Sequence, residues 1–151
     1  MSWYELLLTI HILAVALWFG SGLAITVISY RLIGARDAAL GPFVTGAAWW
    51  AGRAHPAASV VILLAGIGMV GDSEFVSFGD LWVILGLVGW VIVGALGGRF
   101  IGPTAEQLAE TATAGGVTEA VKPLADRLLL FTRIEAGLLA LLIAIMVAKP
   151  D

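Results

Sequence analysis

Apolar residues in this chain fall into four long runs, separated by short stretches that carry most of its charge, and none shows the alternation expected of a strand. A bilayer core about 30 Å thick takes roughly 20 helical residues to cross, because only intrahelical bonds satisfy the backbone there. Residues 4–30, 43–70, 81–98 and 126–148 meet that length, with Glu5 and His11 as the only ionisable groups in the first run. The pattern predicts an all-α fold: an integral membrane four-helix bundle of antiparallel, up-down topology, forming one transmembrane domain over residues 1–151. Pro56 frees a carbonyl one turn back and should bend the second helix, which Gly71-Asp72-Ser73-Glu74 then ends. Ser77-Phe78-Gly79-Asp80 reads as a capped start for the third. No Lys or Arg precedes the first run, and it exceeds the length of a signal h-region, so it is expected to stay as a helix.

Composition sharpens this picture. Hydrophobic residues make up 60% of the chain and charged residues 13%, against about 25% charged in soluble domains. With a mean hydropathy of +1.01, too few polar side chains exist to cover a water-facing surface, which excludes a soluble enzyme. A net charge of −3 argues against a nucleic-acid partner, leaving the lipid bilayer as the principal surroundings. The absence of cysteine excludes disulfides, thiolate metal sites, iron–sulfur clusters and covalent c-type haem.

Lys and Arg resist translocation, so their placement predicts orientation. Arg31, Arg36 and Arg53 lie near the first connection, and Arg99, Lys122, Arg127 and Arg133 near the third, leaving Lys149 as the one base on the other side. Both termini are therefore expected outside the cytoplasm, in a bacterial inner membrane. Residues 99–127 would form a cytoplasmic polar loop. Thr104-Ala105-Glu106-Gln107 has capping-box spacing, so a short helix should follow Pro103 until Gly115-Gly116 breaks it.

Small residues indicate close helix contact in lipid. Gly86, Gly89, Gly94 and Gly97 fall near one face of the third helix, which either packs inside the bundle or forms a homodimer. Glycine faces would also suit docking onto a larger membrane complex. Gly66-Ile67-Gly68-Met69-Val70-Gly71 matches a dinucleotide-loop expression, but it closes an apolar run and follows no strand, so it reads as packing and a helix stop. Trp3, Trp49, Trp50 and Trp82 sit at expected interfaces as anchors.

An ionisable group at membrane depth costs a few kcal/mol on insertion scales, so each calls for a partner or a purpose. At about 1.5 Å rise per residue, His11 and His55 lie roughly 10 Å to opposite sides of the midplane. One haem held by both histidines of a single chain is thereby disfavoured. His11 and Trp18 share a helix face with Ala14, Val15 and Gly22 and together offer a flat slot topped by a nitrogen. His11 is then either a metal or cofactor ligand, haem b foremost, or a neutral imidazole bonded to a neighbouring helix. At the inner level, His55, Arg133 and Glu135 come to similar depth, with Ser21 and Ser59 close in height. Arg133 and Glu135 are two apart and do not face each other, so Glu135 must turn elsewhere, with Arg53 or His55 as the choices. This cluster is either a proton or ion relay or a static ion pair that fixes register while Arg133 snorkels.

The run from His11 through Trp18-Phe-Gly, the Ser77-Phe-Gly-Asp-Leu-Trp82 segment and the terminal Met146-Val-Ala-Lys149-Pro150 resemble a bacterial family of four-helix predicted integral membrane proteins of uncharacterised function. More distantly, the His11–Trp18 spacing and the Lys-Pro ending are similar to the HemJ-type membrane protoporphyrinogen oxidases, and the layout is similar to copper-resistance protein D. The HemJ resemblance implies a first-helix histidine, here His11, working with a lysine near haem. The third helix begins Leu81-Trp-Val-Ile-Leu-Gly and holds no such lysine. The copper-resistance resemblance implies copper passage, for which three scattered methionines, Met1, Met69 and Met146, form a poor soft site. Three functions follow as expectations: haem or porphyrin binding through His11, proton or metal-ion transport using His55 and Glu135, or service as an accessory or structural subunit. No nucleophile–base pair of recognised spacing points to an enzyme.

Overall fold

Ser2 opens the first helix by reciprocal capping: its hydroxyl accepts the Glu5 N–H at 3.1 Å, and the Glu5 carboxylate accepts the Ser2 N–H at 2.8 Å. In the computed structural model, which describes residues 1–115 and 117–150, α1 then runs over Trp3–Gly34, α2 over Leu40–Asp72 and α3 over Leu81–Leu96. A π-helical turn, Gly97–Ile101, leads without a break into α4 (Gly102–Gly115), and α5 covers Val121–Ala148. The described residues contain no strand. Four helical stretches are long and apolar enough to cross a membrane: α1, α2, the joined α3–α4 unit and α5.

The helices exceed what a span requires. At 32 residues α1 is about 48 Å long, well over the roughly 30 Å hydrocarbon thickness. Two packing centres result. Ala14, Trp18, Ala58 and Val93 bury one another among the apolar stretches, joined by partly buried Ile62, Leu138, Leu139 and Leu142. Leu40, Val44, Leu108, Ala109, Ala112 and Val121 form a second core where the start of α2, α4 and the start of α5 meet at the polar end. Many large apolar side chains elsewhere, such as Leu13, Leu64, Val91 and Leu141, point outward, as lipid-facing positions do.

Several local expectations change. Thr104 is buried inside a continuous helix and does not cap one, because the π-helical turn delivers the chain already wound and the amide groups have partners upstream. Asp80 occupies the N-cap position of α3 but makes no side-chain cap bond to the helix. Its carboxylate instead accepts the Ser77 N–H at 3.1 Å, while the Ser77 hydroxyl accepts the Gly79 N–H at 3.0 Å, so the two side chains fold the turn itself. Pro56 lies within α2, which continues through it.

The glycines of α3 divide. A Cβ on Gly86 would collide with Met146, and one on Gly89 with Leu142, so these two let α5 approach inside the bundle. Gly94 and Gly98 meet nothing within 4 Å. Trp90 Nε1 donates to the Ser59 carbonyl at 3.1 Å and ties α3 to α2.

Candidate functional site

His11 faces α2. Its Nδ1 lies 2.9 Å from the carbonyl oxygen of Ile62. A carbonyl only accepts, so Nδ1 carries the proton and Nε2 keeps its lone pair. Gly66, one turn further along α2, runs beside the ring: a Cβ there would stand 3.6 Å from the imidazole, an ordinary contact.

Trp18, two turns along the same face of α1, does not complete a slot with His11. Its Nε1–H donates across the bundle to Glu135 Oε1 at 3.2 Å, and both side chains are buried, at 5% and 7% exposure. The indole also stacks on His55 of α2, with ring centroids 6.1 Å apart and planes inclined by 21°. His55 Nε2 in turn lies 2.9 Å from the Ser21 hydroxyl. Ser21 spends its single proton on the Leu17 carbonyl at 2.6 Å, so the serine oxygen accepts and His55 Nε2–H donates. The two imidazoles therefore hold opposite tautomers. A column Glu135–Trp18–His55–Ser21 joins α5, α1 and α2.

His11 and His55 stand at different levels. One bonds at Ile62 and the other lies seven residues away on the same helix, about 10 Å along its axis. They do not converge on one metal. Among the described residues, no group of three or more His, Asp or Glu side chains is gathered closely enough to hold a metal ion.

Beside Glu135 a cavity of about 140 Å³ opens between α1 and α5. Phe19, Gly22 and Thr26 line it from α1, and Thr132, Arg133 and Ala136 from α5. Its wall is mostly apolar, Leu23 and Leu139 included, and the volume is that of four to five waters at about 30 Å³ each. The polar groups on it are the carboxylate, the guanidinium and two threonine hydroxyls that donate to the Gly22 and Leu128 carbonyls and can only accept from a guest. Arg133 forms no ion pair with Glu135 within 4.0 Å, as their spacing of two along a helix requires. Arg53 is also no partner for the carboxylate: its guanidinium lies 4.5 Å from the Trp49 ring centroid and donates to the Trp49 carbonyl at 3.3 Å. On the remaining side, the π-helical turn approaches, and a Cβ on Gly97 would come 4.0 Å from Glu135 Oε1. Such turns recur at functional positions in helices.

Of the residues singled out by sequence, the structure brings Trp18, His55 and Glu135 together, puts Arg133 on the rim of their cavity, and leaves His11 apart. Sequence reasoning placed Trp18 with His11 and missed its bond to Glu135, since 117 residues separate the two and only the order of helices in the bundle joins them. Trp90 was also missed as part of this framework, and Gly97, read as a packing glycine of the third helix, was not linked to Glu135. A signal was present for Trp90, the one tryptophan deep in the third apolar run, where an indole N–H needs an acceptor. Comparison of the chain with protein-family models, with curated proteins and with solved structures gives no match.

Proposed function

We propose that this chain is a multi-pass protein of a bacterial inner membrane, its helices alternating in direction with both termini outside, that handles protons or small cations at Glu135. One observation carries the reading: a carboxylate buried among membrane-crossing helices has a single donor among the described residues, the Trp18 N–H, and borders a cavity where a fixed counter-ion would otherwise sit. A static ion pair would fix register by closing that gap. An open intramembrane carboxylate beside space for water instead fits an ion or proton pathway. Water in the cavity would exchange a proton with the carboxyl group, and Arg133 on the rim supplies counter-charge when the proton leaves. His55, stacked on Trp18 and bonded to Ser21, places a second exchangeable group on the far side of the indole. Seven of the eight bases lie toward the first and third connections, which supports the orientation.

Proteoliposomes carrying a trapped pH-sensitive dye test this directly. Under an imposed potassium diffusion potential, the reconstituted chain should acidify or alkalinise the lumen faster than empty liposomes. Glu135→Gln, whose amide oxygen still accepts from Trp18, should return the rate to that of empty liposomes. Wild-type protein that moves no protons or alkali cations, or a Glu135→Gln variant running at the wild-type rate, overturns the reading.

A second reading rests on His11. With Nδ1–H held by the Ile62 carbonyl, Nε2 presents a lone pair in the arrangement used by metal-bound imidazoles. An imidazole nitrogen is a donor that haem iron accepts, so His11 would hold haem from this chain, and bound haem would add redox chemistry. His55 would not share that group with His11, being about 10 Å away along α2 and bonded to Ser21. Purified protein with a Soret band that disappears in His11→Ala would favour this reading, and colourless protein after haem supplementation would end it.

A further inference from the structure

The crevice between α1 and α5 opens a second time where the apolar runs stop. A cavity of about 240 Å³ lies between the end of α1 and the start of α5, walled by Tyr30 and by four charged residues, Arg36, Glu119, Lys122 and Asp126. Two are positive and two negative, yet no ion pair within 4.0 Å closes among them. Each charge is thus left open to a guest. Ile33, Val117 and Ala125 add an apolar lining.

The placement of Arg36 carries a cost. The Arg36 and Asp37 N–H groups bond back to the carbonyls of Ile33 and Leu32 at 3.1 and 3.0 Å, which ends α1 in the motif that usually puts glycine at this position. Arg36 adopts φ 51° to do so, at about 1 kcal/mol for a residue with a Cβ. The backbone gains nothing from arginine there, and the guanidinium-bearing residue lines the cavity. One turn deeper, Val27 on α1 and Leu130 on α5 are exposed and apolar, continuing both walls toward the membrane interior.

We propose that this cavity binds the headgroup of a phospholipid carrying both a phosphodiester and a primary ammonium, the phosphatidylethanolamine class, with its acyl chains along the α1–α5 crevice. Arg36 and Lys122 meet the phosphate by charge-assisted bonds, and Glu119 and Asp126 meet the ammonium. The Tyr30 hydroxyl sits at the level where aromatic residues meet headgroups. Size permits it: the cavity has the volume of about eight waters at roughly 30 Å³ each, more than the eight covalently bonded non-hydrogen atoms of phosphoethanolamine need. A phosphatidylglycerol headgroup offers the two carboxylates hydroxyl donors but no positive charge, and a phosphatidylcholine headgroup has no N–H to donate to them.

The test titrates the full chain in maltoside micelles with dihexanoyl phosphatidylethanolamine, phosphatidylglycerol and phosphatidylcholine, and with soluble phosphoethanolamine, reading bound lipid by native mass spectrometry and stability by tryptophan fluorescence. The ethanolamine lipid should bind at least about tenfold more tightly than the other three, equivalent to about 1.4 kcal/mol. Arg36→Gln with Lys122→Gln should weaken all the phospholipids. Glu119→Gln with Asp126→Asn should abolish the preference for ethanolamine while retaining phosphatidylglycerol. Because all four side chains are exposed, both double variants should keep wild-type helicity, and Arg36→Gly, which eases the backbone, separates a lost ligand contact from a lost fold. Equal affinity for the ethanolamine and glycerol lipids overturns the proposal, as does an acidic double variant that keeps the preference. Soluble phosphoethanolamine binding as tightly as the lipid also overturns it, in favour of a water-soluble phosphate ester.

Discussion

Trp18→Phe isolates the bond on which the candidate site is built. The substitution keeps an aromatic ring against His55 but removes the Nε1–H, leaving Glu135 Oε1 buried without its donor at 3.2 Å. Hydrogen bonds to charged groups contribute about 1.5–3 kcal/mol in soluble proteins, while interhelical bonds in membranes average about 0.6 and reach about 1.7. A carboxylate at 7% exposure with one donor belongs at the upper end of the membrane range. The expected coupling between Trp18→Phe and Glu135→Leu is therefore about 1.5 kcal/mol, with roughly 1 kcal/mol more lost in Trp18→Phe alone through the smaller ring. Glu135→Gln retains an acceptor and should lose only about 1 kcal/mol. Reversible unfolding in mixed micelles, titrated with dodecyl sulfate and followed by circular dichroism, measures all the corners of the cycle. A coupling energy below about 0.3 kcal/mol, the scatter expected of independent sites, would refute the bond and with it the positioning of Glu135.

Two further outcomes follow from the packing. Gly89→Ala forces the Leu142 side chain aside and should destabilise the chain by about 1–3 kcal/mol. Gly94→Ala, with nothing within 4 Å, should be neutral or stabilise by up to about 1 kcal/mol through helix propensity; equal effects in the same unfolding assay would contradict the α3–α5 contact. Nitrogen-15 spectra of histidine-labelled protein should show one neutral imidazole protonated at Nδ1, His11, and one at Nε2, His55, and two rings of the same tautomer would contradict the bonds to Ile62 and Ser21.

The spans were legible because length and apolarity alone decide them: a run near 20 residues in a chain with 13% charge has one stable conformation in lipid. Their ends were less so. The first helix begins one residue before the apolar run because Ser2 and Glu5 cap each other, so Glu5, one of the two ionisable groups in that run, serves the helix start. The last helix starts at Val121 and not near 126 because Val121, fully buried, packs against Leu40 and Leu108 in a core outside the most apolar stretches. Helical periodicity put His11 and Trp18 on one face correctly. Which neighbour each would meet depended on the order of the helices around the bundle, and no local pattern encodes that order. Rules of spacing could say that Arg133 and Glu135 face apart, but not that the carboxylate would turn to an indole 117 positions away.

The π-helical turn at Gly97–Ile101 explains how one continuous helix serves two different partners. Upstream, Gly86 and Gly89 face Met146 and Leu142 of α5. Downstream, Leu108 and Ala112 join Leu40 and Val44 of α2, and the backbones come so close that a Cβ on Gly41 would stand 3.2 Å from the Ala112 carbonyl oxygen. One residue added to a helical turn rotates everything after it by about 100°, which is what re-aims α4 relative to α3. Deleting Gly98 should restore a plain α-helical ladder, worth about 1 kcal/mol for the recovered backbone bond, while swinging Leu108, Ala109 and Ala112 off their core. Leu40, Leu108 and Val121 are at most 1% exposed, and burial of each stabilises by about 1.5–3 kcal/mol. Losing half of that burial costs about 2–4 kcal/mol, so the deletion should destabilise by a net amount of about 1–3 kcal/mol. Gly98→Ala, which keeps the residue count at a position open to 4 Å, should be nearly neutral. Hydrogen exchange over residues 40–48 gives the second readout: it should accelerate in the deletion and remain unchanged in the alanine variant. A deletion as stable and as protected as the parent would mean that the turn does not set the direction in which α4 faces, and Gly97 would then lose its place as a fixed wall beside Glu135.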